Sequence, residues 1–176
     1  MGLYIDIYNY LTTIFWAVGL IFSVITLIIP EYAQYLNPYY IQTFMLLDIV
    51  HAILKLSSGN IFATCLKVAS RIYVVWAIVR YQPGPNIWNY CMYAAWSFAE
   101  IIRYQYYIHK STQGILLFLR YNAFIILYPI GIFAGEMPLI YRIHFYILFL
   151  YVPFFPYLYL HMLKLRKKKT AQKKTQ

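Results

Sequence analysis

Charge is what this chain has least of. Only 11% of its 176 residues are Asp, Glu, Lys or Arg, where a soluble domain carries nearer a quarter. Two cysteines, Cys65 and Cys91, offer neither a disulfide framework nor a zinc spacing. Cys65 and Arg71 form a Cys-x5-Arg pattern, but the run Cys65-Leu-Lys-Val-Ala-Ser-Arg71 has no glycine loop to cradle a phosphate. Phosphatase chemistry is therefore a coincidence of spacing. No nucleophile elbow precedes a helix, and the four histidines lack the matched pairs that a di-haem bundle needs. The first nine residues hold no Lys or Arg, so the positive n-region of a cleavable signal peptide is missing and the first helix is expected to be retained.

What remains is apolar and aromatic: 62% hydrophobic residues, 21 tyrosines and a mean hydropathy of +0.57. That composition and length predict an all-α polytopic membrane protein. Six apolar segments can be read, 10–29, 39–56, 61–79, 87–108, 115–134 and 141–163. Each is close to the ~20 residues that cross a bilayer as a helix. The expected domain plan is a six-transmembrane-helix bundle over residues 1–163 and a basic tail over 164–176. Expected connections lie at Pro30 to Pro38, Ser57 to Asn60, Pro83-Gly84-Pro85, Ser111 to Gly114 and Gly135 to Pro138.

The net charge of +10 is no nucleic-acid signal, because seven of the 15 basic residues lie from Lys164 onward. Such a run is read as a solvated flank beside anionic headgroups. With Lys55 and Lys110 it places both termini in the cytosol. The final Lys173-Lys174-Thr175-Gln176 has the form of a dilysine endoplasmic-reticulum retrieval signal.

Ionisable residues nevertheless occur at membrane depth, where facing lipid would cost ~2.5–3.5 kcal/mol each. Asp48, His51 and Lys55 share one helix face by spacing, as do Glu100, Arg103, Tyr104 and Tyr107 on another. Lys67 and Arg71 lie between them in sequence. Asp48 with a basic neighbour, and Glu100 with Arg103 or Arg71, read first as ion pairs that hold helices in register. The segment from Arg120-Tyr121 to Tyr128-Pro129-x-Gly131 and Glu136 reads differently. Pro129 and Gly131 are expected to weaken the helix and bring Glu136 back beneath Tyr128. A carboxylate in an apolar cavity suits abstraction of a weakly acidic C–H proton, and a buried phenol can assist a departing hydroxyl. A Tyr and a Glu that simply cap a helix end explain the same residues about as well.

The motifs Leu47-Asp48-x-x-His51, Val68-x-Ser70-Arg71-x4-Trp76, Trp96-Ser97-x-x-Glu100-x-Ile102-Arg103-Tyr104-x-x-Tyr107 and Arg120-Tyr121 through Glu136 occur in series. Together they resemble the endoplasmic-reticulum 3-hydroxyacyl-CoA dehydratases, the protein-tyrosine-phosphatase-like (PTPLA) family. The resemblance implies dehydration of a long-chain (3R)-3-hydroxyacyl-CoA to the trans-2-enoyl-CoA in very-long-chain fatty acid elongation. It implies no metal or redox cofactor, a multi-pass endoplasmic-reticulum location, and the other elongation enzymes as partners. It maps the family's catalytic pair onto Tyr128 and Glu136, with the division of acid and base roles open. Arg71, Glu100, Arg103, Tyr104, Arg120 and Tyr121 follow as candidates for shaping the pocket or holding the thioester and CoA. The family pattern sets the pair seven residues apart, and here they are eight apart. In an unbroken helix the extra residue turns Glu136 by ~100°. That departure supports an alternative, an inactive homologue that scaffolds elongation enzymes. A small transporter using the Asp48, Glu100 and Arg103 charges is a third class, although no inverted repeat is visible.

Overall fold

A run such as Gly2–Ile28 is apolar over most of its surface, so its few polar and small residues decide which side faces the protein. In the computed structural model, which describes residues 2–35, 38–57, 60–81, 86–109 and 114–174, this run is α1 (Gly2–Ile28). Its buried stripe is Tyr8, Thr12, Trp16, Gly19, Ser23 and Thr26, while Leu11, Ile14, Val18 and Ile21 point outward. Apart from Trp16 the stripe is small or hydroxylated, with aliphatics outside, the arrangement expected where lipid covers the exterior. The hydroxyls of Thr12 and Ser23 each donate to the carbonyl four residues back at 2.7 Å, so they enter the interface satisfied.

The described residues are helical, with no strand among them. After a 3-10 turn (Pro30–Tyr35) come α2 (Pro38–Phe44), α3 (Leu46–Ile53) and α4 (Ile61–Tyr73), the last capped by the Asn60 side chain. A buried π turn (Val74–Ile78) and a 3-10 turn (Val79–Tyr81) prolong α4. Then follow α5 (Ile87–His109), α6 (Ile115–Asn122), α7 (Phe124–Gly131), a second π turn (Ile132–Glu136), α8 (Met137–His144), a 3-10 turn (Phe145–Ile147) and α9 (Leu148–Lys174). The axis of the bundle is α5. It packs along α1 on one side and against α7 and the second π turn on the other.

Among the described residues four helices are long and apolar enough to cross a membrane: Gly2–Ile28, Ile61–Tyr81, Ile115–Arg142 and Phe145–Lys167. The stretch Tyr40–Ile53 is apolar but shorter. The structure thus carries the all-α membrane architecture, with four such spans where six segments were expected.

One boundary differs from the sequence reading. The fifth segment was expected to end at Ala134 in a connection over Gly135 to Pro138, but the helix continues to His144 and turns there, at φ −134° and ψ 58°. Pro138 follows directly on the π turn, where the chain returns to α-helical geometry. Gly135 serves close packing instead of a turn, since a Cβ there would stand 2.7 Å from the Met92 Cβ. The segment 39–56 is likewise divided, with Met45 between α2 and α3. Beyond residue 163, where a solvated flank was expected, α9 runs on through Lys- and Arg-rich sequence that favours helix. The expected turn at Pro83-Gly84-Pro85, and Lys110, lie outside the described residues.

Candidate functional site

The charged residues at membrane depth converge on one another. Glu100 of α5 accepts from Arg71 of α4 at 2.6 Å, from Lys67 of α4 at 3.2 Å and from Arg103 at 2.5 Å. Arg103 also reaches Asp48 of α3 at 2.5 Å. The hydroxyls of Tyr8 and Tyr104 donate to Asp48, each at 2.9 Å. Three cations and two carboxylates therefore form one buried lattice that ties α1, α3, α4 and α5 together. The sequence predicted separate pairs; the lattice is what results when both carboxylates share Arg103. Each partner supplies hydrogen bonds as well as charge, which buried ions require. His51 stays outside it and meets the Tyr4 hydroxyl at 3.0 Å.

The lattice borders two cavities. On one side lies a polar cavity of about 550 Å³, lined by Asp48, His51, Lys55, Arg103, Tyr104 and Tyr107 among others. On the other lies an apolar cavity of about 300 Å³ between α4, α5, α7 and α9. Lys67 and Arg71 belong to its wall, so the same lattice faces both spaces.

Tyr128 and Glu136 both line the apolar cavity. The Tyr128 ring stacks on Phe155 of α9, with centroids 5.6 Å apart and planes 11° from parallel. Glu136 is 6% exposed. Its Oε1 accepts from Trp96 Nε1 at 3.0 Å and its Oε2 from the Tyr151 hydroxyl at 2.6 Å. Both donors are neutral, so the carboxylate is fixed in position without being locked to a cation. Arg71 is close by, its guanidinium 4.8 Å from the Trp96 ring centroid.

The π turn Ile132–Glu136 explains how residues eight apart share this space. Replacing i→i+4 bonds by i→i+5 inserts one residue into a helix locally, and such turns gather at functional sites. Pro129 itself stays within α7, so the irregularity sits three residues later than Pro129 alone would place it.

The second-tier residues divide. Arg71 and Glu100 connect the lattice to the apolar cavity, and Arg103 and Tyr104 face the polar one. Arg120 and Tyr121 line neither. Arg120 lies 5.7 Å from the centroid of the Tyr107 ring, and Tyr121 packs edge-on against Tyr106 at 6.1 Å. Two residues gain importance that the sequence did not give them. Trp96 belonged to a motif without a role, and Tyr151 was one tyrosine among 21 with no pattern to distinguish it. Cys65 sits in regular helix on α4, with no phosphate loop around it. Among the described residues no group of three His, Cys, Asp or Glu gathers with metal-binding proximity.

This geometry can be set beside known proteins. The chain is 32% identical over 161 residues to very-long-chain (3R)-3-hydroxyacyl-CoA dehydratase 1 of Mus musculus, covering 73% of this chain and 57% of the mouse protein. It is 35% identical over 150 residues to the very-long-chain (3R)-3-hydroxyacyl-CoA dehydratase PASTICCINO 2B of Oryza sativa subsp. japonica, covering 79% of this chain and 67% of that one. Dehydratase 2 of Mus musculus is 28% identical over 210 residues, with 94% and 80% covered. The chain thus spans a little over half the length of the mouse dehydratase 1. No solved structure matches it. The family profile described as protein tyrosine phosphatase-like protein, PTPLA, matches residues 42–147, a stretch that holds the whole ion lattice, Tyr128 and Glu136, and the chain belongs to that family.

Proposed function

We propose that this protein is a membrane hydro-lyase that converts a long-chain (3R)-3-hydroxyacyl-CoA to the trans-2-enoyl-CoA. The observation that carries the reading is the apolar cavity that Tyr128 and Glu136 share across a π turn. The acyl chain occupies that cavity. Glu136, held by Trp96 and Tyr151, takes the C2 proton, and the electron pair released forms the C2–C3 double bond. The C3–O bond breaks as Tyr128 gives its phenolic proton to the departing hydroxyl, which leaves as water. Transfer of the abstracted proton from Glu136 to Tyr128 restores both groups. Arg71, on the same wall, is a cation available to the thioester oxygen where negative charge develops. All the groups needed are side chains of this chain, and the proposal includes no metal or redox cofactor.

The relatives named above are very-long-chain (3R)-3-hydroxyacyl-CoA dehydratases, which supports the substrate class. In this proposal α2–α3 and α5 join the four long spans to make six crossings, with both termini cytosolic and the Lys55 end of α3 on that side. The endoplasmic-reticulum membrane, and the other elongation enzymes as partners, follow from the elongation reading. The scaffold alternative drew its support from the eight-residue spacing, and the π turn offers that extra residue a place. The test is dehydration of a long-chain 3-hydroxyacyl-CoA by purified protein in detergent. Turnover lost in Tyr128→Phe and Glu136→Ala, with melting transitions retained, supports the reading. A folded wild type that never forms the enoyl product refutes it.

A further inference from the structure

Lys55 has the backbone conformation that least suits a lysine. Its φ is 54°, and among the described residues it is the one non-glycine with positive φ. It follows the C-cap of α3. The Leu56 amide returns to the His51 carbonyl at 2.8 Å and the Lys55 amide to Ala52 at 3.2 Å. This is the helix-terminating loop in which glycine is the usual residue, because a Cβ is strained there. The chain instead has a lysine here, exposed and part of the lining of the polar cavity.

Other features of that cavity fit the same ligand. Asp48 is part of its lining, but two tyrosines and Arg103 already take up its oxygens, so it offers little repulsion to an anion. Tyr106 and Tyr107 are aromatic members of the lining. Arg120 rests over the Tyr107 ring and adds a second positive charge beside that wall. Among the described residues neither Lys55 nor Arg120 has a carboxylate within ion-pair distance, whereas Lys67, Arg71 and Arg103 all do. Asp6 is the remaining acid of the lining. Phosphate groups with a planar base match this combination of unpaired cations and tyrosine faces.

We infer that the polar cavity docks the nucleotide end of the acyl-CoA, with Lys55 as phosphate ligand and Arg120 reinforcing the positive potential. The choice of ligand rests on the dehydratase reading. It is favoured by position, because the ion lattice borders both this cavity and the apolar one, and a thioester placed at the lattice joins the two. An anionic lipid headgroup offers the same phosphate chemistry, so the two sources have to be separated.

The experiment is calorimetric binding of free coenzyme A and of pantetheine, which lacks the phosphates, to purified protein in phosphatidylcholine nanodiscs. Wild type, Lys55→Gly and Lys55→Arg are compared, and the series is repeated with phosphatidylserine in the bilayer. Glycine relieves the positive-φ strain, so its melting temperature serves as the folding control. The preference for coenzyme A over pantetheine should fall roughly tenfold in Lys55→Gly, as expected for one lost contact to a charged group. It should be largely kept in Lys55→Arg and weaken with salt. An unchanged preference in a folded Lys55→Gly protein overturns the inference. So does Lys55-dependent binding of phosphatidylserine with none of coenzyme A, which would make this a lipid site. Binding is read without turnover. Lys55-dependent coenzyme A binding by a protein that does not dehydrate would sink the reaction and leave the site standing. Dehydration with Lys55-independent binding would do the reverse.

Discussion

Removing one residue should do almost nothing at Ala134 and much damage elsewhere. In an ideal helix Glu136 would point about 80° away from Tyr128, two turns further on, whereas a spacing of seven leaves them only about 20° apart. The π turn Ile132–Glu136 takes up the difference. Deleting Ala134, a half-buried residue inside that turn, should let the segment close into regular α-helix with Tyr128 and the carboxylate still on one cavity. The matched control is deletion of Ala94, also half-buried, in the regular helix α5. There the loss rotates Trp96, Glu100, Arg103 and Tyr104 by about 100° relative to the preceding turns. The lattice would be pulled apart, at about 3–5 kcal/mol for a broken buried pair. Thermal melting in detergent reads both variants, with dehydration as the second readout. The Ala134 deletion should melt within a few degrees of wild type and retain turnover, while the Ala94 deletion should lose its cooperative transition. Equal damage from both would show that the π turn does not absorb the extra residue.

Three further outcomes follow from the packing. Tyr151→Phe removes the 2.6 Å hydrogen bond to Glu136, worth about 1.5–3 kcal/mol for a charged acceptor. Steady-state kinetics should show kcat falling roughly tenfold to a hundredfold with KM little changed; a KM effect alone would argue against a positioning role. Gly135→Ala would place a Cβ 2.7 Å from Met92 Cβ and 3.0 Å from its Cα, whereas the nearest atom to a Cβ at Gly131 is 3.7 Å away. Calorimetry or dye-based melting should therefore find Gly135→Ala destabilised by about 1–3 kcal/mol and Gly131→Ala close to wild type. Glu100→Gln leaves Lys67 and Arg103 with Asp48 as their carboxylate and takes from Arg71 its ion-pair partner. Denaturant titration should show about 3–5 kcal/mol of lost stability, and a near-neutral result would mean that the lattice is hydrated.

How far the sequence could be read differs from element to element. Long apolar runs made the all-helical membrane bundle legible, because a bilayer leaves the backbone few alternatives. Charges at i, i+3 and i+7 positions showed that Asp48, Glu100 and Arg103 needed partners inside, but they read as separate pairs, and their union through Arg103 was not legible. That Tyr128 and Glu136 share one space was one of two readings of the Pro and Gly between them, and the family resemblance favoured it over a helix cap. The route was not legible: a π turn has no compositional signature, and Gly135-Glu136-Met137-Pro138 looks like a loop to any rule that treats Gly and Pro as breakers. Gly135 was needed by Met92 of another helix, a tertiary demand that no local pattern reports. Tyr151 was hidden for the opposite reason. Its neighbours are as aromatic as itself, and only the folded distance to Glu136 separates it from an interfacial anchor. Lys55 was read as the end of a helical face, yet α3 stops at Ile53 and the residue sits at positive φ beside the polar cavity.

The most direct test of the account is single-turnover dehydration of a long-chain 3-hydroxyacyl-CoA by the wild type and by Glu136→Gln. This substitution keeps the size of the side chain and removes the base. The account predicts trans-2-enoyl-CoA from the wild type and none from a Glu136→Gln protein that melts as the wild type does. Enoyl product formed at the wild-type rate by Glu136→Gln would contradict it.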